Sequence, residues 1–559
     1  MAVGTVAIIG AGPSGLVSAK EALACGLDPT IFEQGDSLGG VWKPNGGKTW
    51  EGMRINNSVF AACFSDYDWE EKTDPFPNQR RVYEYLQSYA KHFDLTNKLQ
   101  LSTTVTKIER QAEKWLVQWV DGQKKESSCL YNYVMVCSGI FSRAFTPAIS
   151  GLKTFSGSVS HSADYKTPTP FEGKVVAVIG NAFSGCEIAA EVSKTAKKVV
   201  HIFNQAKWIM PRKLNEQENQ ETLPFDIALY KRNVIYPARD TNDDQETRYK
   251  KSNHFYNQHS DQNELTPDLY LSPDSANPPF VAISDSYLPQ VRSNRILPKK
   301  AKIEKIEKNT LYLSDGSELR VDGLLFCTGY RAELPFFNSQ MKEDLGFVGD
   351  DPLQPLLLHK TVFHPKFQNM AFVGLCRVGV YFGLVELQAR LATMTLSGKI
   401  SWPTEEMMVD GIQAEKDIRE MNPRTQFSRG YIPFCDELAY EIGALPPFNK
   451  LAKDNSPLYE KIWKGPFTSS SYRLFGFGNN PGVALKIINE LNELTSTSHI
   501  YKKYQFSDNF SLTAKVSQLL FKDLHLFNDT ITIRPAGYKE ILVTAMSVVY
   551  VFSLFHRTV

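Results

Sequence analysis

The sequence predicts an α/β protein built on two Rossmann-like dinucleotide-binding domains, followed by a C-terminal helical and apolar tail. Three observations carry this. Residues 6–33 read as strand, glycine turn, helix and second strand, and the same order returns at 174–203. The chain has 559 residues, too many for one hydrophobic core, so two or more domains are expected.

The first unit opens with VAIIG (6–10), a short apolar β-branched run of the kind that fills a buried parallel strand. It follows the first residues directly and reads as a first strand, not as a signal peptide. Gly10, Ala11, Gly12, Pro13, Ser14 and Gly15 come next, then LVSAKEALACG with helical apolar spacing and Gly26 as its stop. LDPTIFEQ supplies the second strand, ending near Glu33. The glycines permit a tight turn and the approach of a pyrophosphate to the helix N-terminus. Glu33 stands where an acid hydrogen-bonds a ribose 2′-hydroxyl and disfavours a 2′-phosphate. This site therefore suits FAD or NAD better than NADP.

The second unit runs KVVAVIG (174–180), Asn181, Ala182, Phe183, Ser184, Gly185, then the helix CEIAAEVSKTA and the strand KVVHIF (198–203). Ala182 stands where the fingerprint has its middle glycine, adding one methyl beside the phosphate. Asn204 replaces the acid at the strand end, and Lys207 and Arg212 follow. Loss of the acid and gain of cations favour NADP over NAD. Two such sites on one chain read as a flavin and its nicotinamide reductant.

YVMVCSG (133–139) and GLLFCTG (323–329) are further apolar strands entering ligand-side turns. Residues 213–290 are polar and too long for an ordinary loop, so they read as an insertion in the second domain. The net charge of +1 gives no reason to expect nucleic acid as a partner. The eight cysteines include no CxxC and no zinc spacing, which removes the flavin disulfide reductases. They are expected to be buried, reduced thiols in a cytosol-facing protein. Ile541 to Phe555 is apolar apart from Thr544, Ser547 and Ser553. Fifteen residues fall short of the ~20 that span a bilayer, which suggests a tilted or half-embedded anchor or a helix packed on the body.

One stretch, FSGSVSHSADYK (155–166), is too Ser-rich for a core strand and has no helical stripe, so it reads as a loop. Its Phe155, Gly157, His161 and Tyr165 match FxGxxxHxxx(Y/F), and through them the chain resembles the flavin-containing monooxygenases. The resemblance runs along most of the sequence. GAGPSG matches the FAD fingerprint and Gly39-Gly40-Val41-Trp42 the GGxW that follows it. Phe326-Cys327-Thr328-Gly329-Tyr330 matches FATGY, and Glu386-Leu387-Gln388-Ala389-Arg390 resembles the ELQ-R segment. The apolar tail looks like that of the animal, endoplasmic-reticulum-bound members. Two departures stand out: Phe183 replaces an asparagine common at the second site, and Asn204-Gln205 replace the usual arginine.

The resemblance implies an FAD domain split over residues 1–150 and 325–440, an NADPH domain at 151–324 and a C-terminal segment at 441–559. It assigns FAD to Gly10, Ala11, Gly12, Pro13, Ser14, Gly15, Glu33, Gly40, Val41, Trp42 and Gln388. NADPH falls to Gly180, Ser184, Gly185, Cys186 and Glu187, with Lys207 or Arg212 meeting its 2′-phosphate. Asn56, beside Asn57, takes the active-site asparagine position, where its amide would hold NADP+ and the flavin peroxide together. His161 and Tyr165 would anchor their loop. The implied chemistry is oxygenation of a soft nucleophile, an amine nitrogen or a thioether sulfur, by a C4a-hydroperoxyflavin formed from NADPH and O2. Water exclusion keeps that species from decaying to peroxide. The rivals are Baeyer–Villiger oxygenation of ketones, an uncoupled NADPH oxidase releasing H2O2, and a non-catalytic dinucleotide-binding protein. The expected partners are a small nucleophilic substrate, O2 and, through the C-terminus, the endoplasmic reticulum membrane. The side of that membrane and a homo-oligomeric state stay open.

Overall fold

A computed structural model describes residues 4–44, 46–70, 73–216, 221–232, 245–377, 381–422 and 430–496. Its first unit is β1 (Thr5–Ile9), α1 (Pro13–Ala24) and β2 (Asp28–Phe32). The second is β3 (Val175–Ile179), α2 (Phe183–Val192) and β4 (Lys198–Phe203). Each organises a five-stranded parallel sheet with its fingerprint strand at the centre. In the first, β1 lies between β2 and Tyr133–Val136, with Leu99–Gln100 and Met370–Phe372 at the edges. In the second, β3 lies between β4 and Gly323–Phe326, with Ile296–Lys300 and Ser158–His161 at the edges.

The two units repeat the same steric solution. Gly10 and Gly180 adopt φ of +109° and +101°, a region that side chains disfavour. A Cβ on Gly15 would lie 1.8 Å from the Gly10 carbonyl oxygen, and one on Gly185 1.7 Å from that of Gly180. Helix and strand therefore pack closely enough to aim each helix N-terminus past its own strand.

The stretch around His161 departs from the loop reading. Ser158–His161 is an edge strand, in parallel register from Ser158 opposite Gly323 to His161 opposite Phe326. Its residues have little strand preference of their own; the open edge of Gly323–Phe326 supplies the hydrogen bonds, and Gly157 passes where a Cβ would lie 2.2 Å from the Asp322 carbonyl. Gly323–Phe326 also shows that a boundary at 324/325 cuts a strand of the second sheet, so the chain leaves that sheet after Phe326.

Residues 213–290 hold an antiparallel strand pair (Lys213–Glu216 with Glu221–Pro224), the helices Phe225–Leu229 and Gln245–Gln258, and the strand Val281–Ile283, which pairs with Trp208–Met210. After the second sheet the chain returns to the first, and the helix Tyr381–Leu396 packs on α1 within one core. Arg473, from the C-terminal segment, joins that core by ion pairs to Glu21, Asp66 and Glu386. Seven of the eight cysteines are buried; Cys129 is exposed on a surface strand, against the expectation. Among the described residues, no helix is long and apolar enough to cross a membrane. The apolar run 541–555 lies outside the described residues.

Candidate active site

A cavity of about 1690 Å³ runs between the two units and receives both helix N-termini. At each, the residue before the helix, Gly12 or Ala182, provides no side-chain cap, and the first turn carries no acid. Uncapped N–H groups with the positive end of the helix dipole behind them form a binding site for phosphate oxygens. Two such ends on one cavity fit two pyrophosphates.

Around the first end, Gly10, Gly12, Pro13, Ser14, Glu33, Gly40, Val41 and Trp42 line the cavity. Ala11 and Gly15 do not; they shape the turn from behind. The Glu33 carboxylate accepts from the Ala11 N–H (2.9 Å) and the Gly35 N–H (2.7 Å), which fixes it at the mouth of the turn. Gln388 is fully buried outside the cavity. Its side-chain oxygen accepts from Gly374 N–H (2.9 Å) and its amide donates to Thr361 (2.6 Å), so it braces the turn carrying Cys376 and Arg377. The structure thus places Gln388 behind that turn and outside the cavity lining.

At the second end, Gly180, Asn181, Ala182, Phe183 and Ser184 line the cavity, while Gly185, Cys186 and Glu187 do not. Cys186 is buried on the core side of α2, where burial pushes its thiol up to about 12. Glu187 is engaged by Arg212 at 2.6 Å. Lys207 lines the cavity together with Asn204 and Gln205. Arg212 does not; it is buried and paired with Glu187 and with Asp285 (2.9 Å). The two basic candidates are thus separated by geometry: Lys207 faces the cavity and Arg212 is spent inside the protein.

Asn56 and Asn57 line the cavity where the units meet. Their loop is clamped from the second domain on both sides. Arg212 donates to the Ile55 carbonyl (2.9 Å), the Arg54 carbonyl (3.3 Å) and Asn56 Oδ1 (3.2 Å). Asp226 accepts from Ser58 N–H (2.9 Å) and Ser58 Oγ–H (2.8 Å). His161 is buried outside the cavity, with Nδ1 accepting from Ala163 N–H (3.0 Å) and its ring edge-on to Tyr330. Tyr165 packs on Trp50 and Phe171. Burial pushes the His161 imidazole down, toward the neutral form.

A family model for flavin-binding monooxygenase-like proteins matches residues 4–522. The chain belongs to that family. It is 29% identical over 508 residues to a rat protein named dimethylaniline monooxygenase (N-oxide-forming) 2, covering 87% of this chain and 91% of that one. Among solved structures it is similar to an S-allyl-L-cysteine S-oxygenase from Allium sativum, with a TM-score of 0.59 and 22% identity over 88% of this chain and 99% of the other. An open-form cyclohexanone monooxygenase reaches 0.57 with 16% identity, over 81% and 99%. As a flavin-binding monooxygenase the protein is an FAD-dependent enzyme that uses NADPH. The two bare helix ends fit those cofactors.

Three site residues were not legible in advance. Lys48 lines the cavity, donates to the Ser142 carbonyl (2.9 Å) and lies 4.9 Å from the Tyr330 ring centre. Burial brings its ammonium down to about 8. Arg377 lines the cavity from the turn braced by Gln388, and Asp226 reaches the Asn56 loop from the insertion. Only Arg377 left a trace in the sequence, a lone cation in the apolar run FVGLCRVGVYF.

Proposed function

We infer that the protein is an NADPH- and O2-dependent monooxygenase that transfers one oxygen atom to a soft nucleophile, an amine nitrogen or a thioether sulfur. The observation that carries this reading is the meeting of two uncapped helix N-termini on one cavity, with Asn56 held at their seam. For a thioether the balance is one NADPH, one proton and one O2 giving sulfoxide, NADP+ and water. Bound FAD supplies the electron transfer from NADPH and the activation of O2.

The chain's own residues do the positioning. The turn at Gly12 and the N-terminus of α1 take the FAD pyrophosphate, with Glu33 at the adenosine side. The N-terminus of α2 takes that of NADPH, and Lys207 meets the 2′-phosphate. Asn56 presents its Nδ2–H to the reacting groups, because Arg212 occupies its oxygen. Exclusion of water once both cofactors fill the cavity favours oxygen transfer over peroxide release. The rat and Allium sativum relatives, an N-oxide-forming and an S-oxygenating enzyme by name, agree with this substrate class. The likeness to cyclohexanone monooxygenase concerns the fold. The apolar run 541–555 supports attachment to the endoplasmic reticulum membrane, tested by fractionating cells that express the full chain or one ending before Ile541.

The deciding experiment follows NADPH oxidation, O2 uptake and H2O2 release with methyl phenyl sulfide, with cyclohexanone and with no substrate, using isotopically labelled O2. One labelled sulfoxide per NADPH is expected. Lactone from the ketone would move the reading to Baeyer–Villiger chemistry. Stoichiometric H2O2 under all conditions would make the protein an oxidase, and absence of NADPH consumption a non-catalytic binder.

A further inference from the structure

We propose that Arg377 forms a subsite for an anionic group of the substrate, a carboxylate, at the seam of the two nucleotide sites. The proposal deepens the oxygenation reading above and rests on it for the identity of the substrate.

Position comes first. Arg377 follows the turn at Gly374, where a Cβ would lie 2.2 Å from Ser14 Oγ and 2.4 Å from the Tyr381 hydroxyl oxygen, so the turn abuts the N-terminus of α1. Its guanidinium lies 5.6 Å from the ring centre of Phe183, the first residue of α2. One side chain thus connects the two phosphate-binding helix ends. The aromatic face braces the guanidinium and orients its fork, a geometry suited to two-oxygen anions.

The charge balance comes second. Arg377 is half-buried and lines the cavity. Among the described residues, no carboxylate and no carbonyl accepts from its guanidinium. The more deeply buried arginines all differ: Arg212 and Arg473 pair with carboxylates, Arg232 with Asp436, and Arg390 donates to two backbone carbonyls. A cation removed from water without a partner is costly, and the cost falls once an anion arrives. Burial pushes the guanidinium down, and no neighbouring carboxylate opposes that shift.

The carboxylates lining the cavity offer no remedy. Glu33 is held by backbone N–H groups, Glu333 pairs with Arg143, and Asp350 pairs with Arg331. Lys207 adds a second cation to the same field: burial lowers its ammonium, and the charge of Arg377 lowers it further. An anion entering at the seam would meet positive charge that the protein leaves uncompensated. It would leave an attached sulfur or nitrogen within the cavity that Asn56 also lines. Phe183, which departs from the common asparagine, gains a role as the platform under Arg377.

Anionic oxygens could come from the substrate or from a phosphate of NADPH, and the experiment separates them. Wild type, Arg377→Gln and Arg377→Lys are compared with (methylthio)acetate and its neutral counterpart (methylthio)acetamide, with flavin content and melting temperature confirming the fold. Wild type should prefer the anion. Arg377→Gln should lower the anion-to-amide ratio of kcat/KM by about tenfold or more, and Arg377→Lys should restore part of it. Calorimetric binding of (methylsulfonyl)acetate, which offers no oxidisable sulfur lone pair, to protein loaded with FAD and NADP+ should weaken about tenfold in Arg377→Gln. An unchanged ratio and unchanged binding would overturn the subsite. So would a rise in KM for NADPH that is equal with both thioethers, which would assign Arg377 to a cofactor phosphate. If wild type oxygenates neither thioether, the oxygenation reading fails while the calorimetry still decides whether Arg377 binds the anion.

Discussion

The guanidinium of Arg212 donates to Asn56 Oδ1 across 3.2 Å, and this contact sets which edge of the amide faces the cavity. A guanidinium has donors only, so the atom facing it is the oxygen and the NH2 group is left for a ligand. Glu187 at 2.6 Å and Asp285 at 2.9 Å hold the guanidinium in turn.

Replacing Asn56 by Asp removes that NH2 donor and puts a carboxylate against Arg212. The ion pair preserves the fold, so flavin content and melting temperature should stay near wild type. Product formed per NADPH should fall about tenfold, the scale of one lost hydrogen bond to a charged or reacting group, with H2O2 rising to match. Unchanged coupling would remove Asn56 from the reacting set.

Asp226 holds Ser58, two residues from Asn56, at a cost that depends on pH. Burial raises its carboxyl from 3.8 to about 6, although the Ser58 hydrogen bonds oppose the rise. The folded state then holds a proton that the unfolded state releases, so this contribution is present below about pH 4 and is lost as pH rises through 6. A shift of that size is worth about 3 kcal/mol at most. The melting temperature of Asp226→Asn minus that of wild type should therefore increase between pH 4 and 7, whatever constant offset the amide introduces. A flat difference would show that Asp226 titrates alike in both states.

Gly15→Ala and Gly185→Ala test the two nucleotide sites separately. Each new methyl would meet a carbonyl oxygen at 1.8 or 1.7 Å, so helix and strand must separate. Gly15→Ala should purify with little or no FAD. Gly185→Ala should keep FAD, measured by its visible absorbance, while NADPH binding weakens by an order of magnitude or more. Loss of FAD in both variants would mean that the units fold as one.

Arg473→Met removes the cation shared by Glu21, Asp66 and Glu386. Breaking a buried pair from one side costs about 3–5 kcal/mol, so a large drop in melting temperature is expected. Burial alone would raise the Glu21 carboxyl, yet Arg473 and Lys20 outweigh it and bring it to about 2. Its stabilising contribution is thus present above pH 4.5 and lost as pH falls toward 2. Wild type should lose stability over that acid range, and Arg473→Met should lose less of what remains.

Both βαβ units were legible because their signals are local. A glycine with positive φ, a second glycine against the preceding carbonyl and β-branched strands lie within about 30 residues, and sterics alone relate them. The same rules misread Ser158–His161, since an edge strand can be made by its neighbour's free hydrogen bonds instead of by its own residues.

Two dinucleotide sites, their order, and the family motifs that tie them to flavin chemistry can all be read from the chain's local patterns. Tertiary structure decided what each polar side chain does. It turned Arg212 from a phosphate candidate into the clamp on Asn56, moved Gln388 behind the cofactor turn, and left Lys207 and Arg377 facing the cavity. Ser58 and Asp226 are 168 residues apart, and Arg212 and Asn56 are 156 apart. Backbone conformation is set by neighbours along the chain, but a charge is satisfied by whichever partner folding brings to it, and no local pattern records that partner.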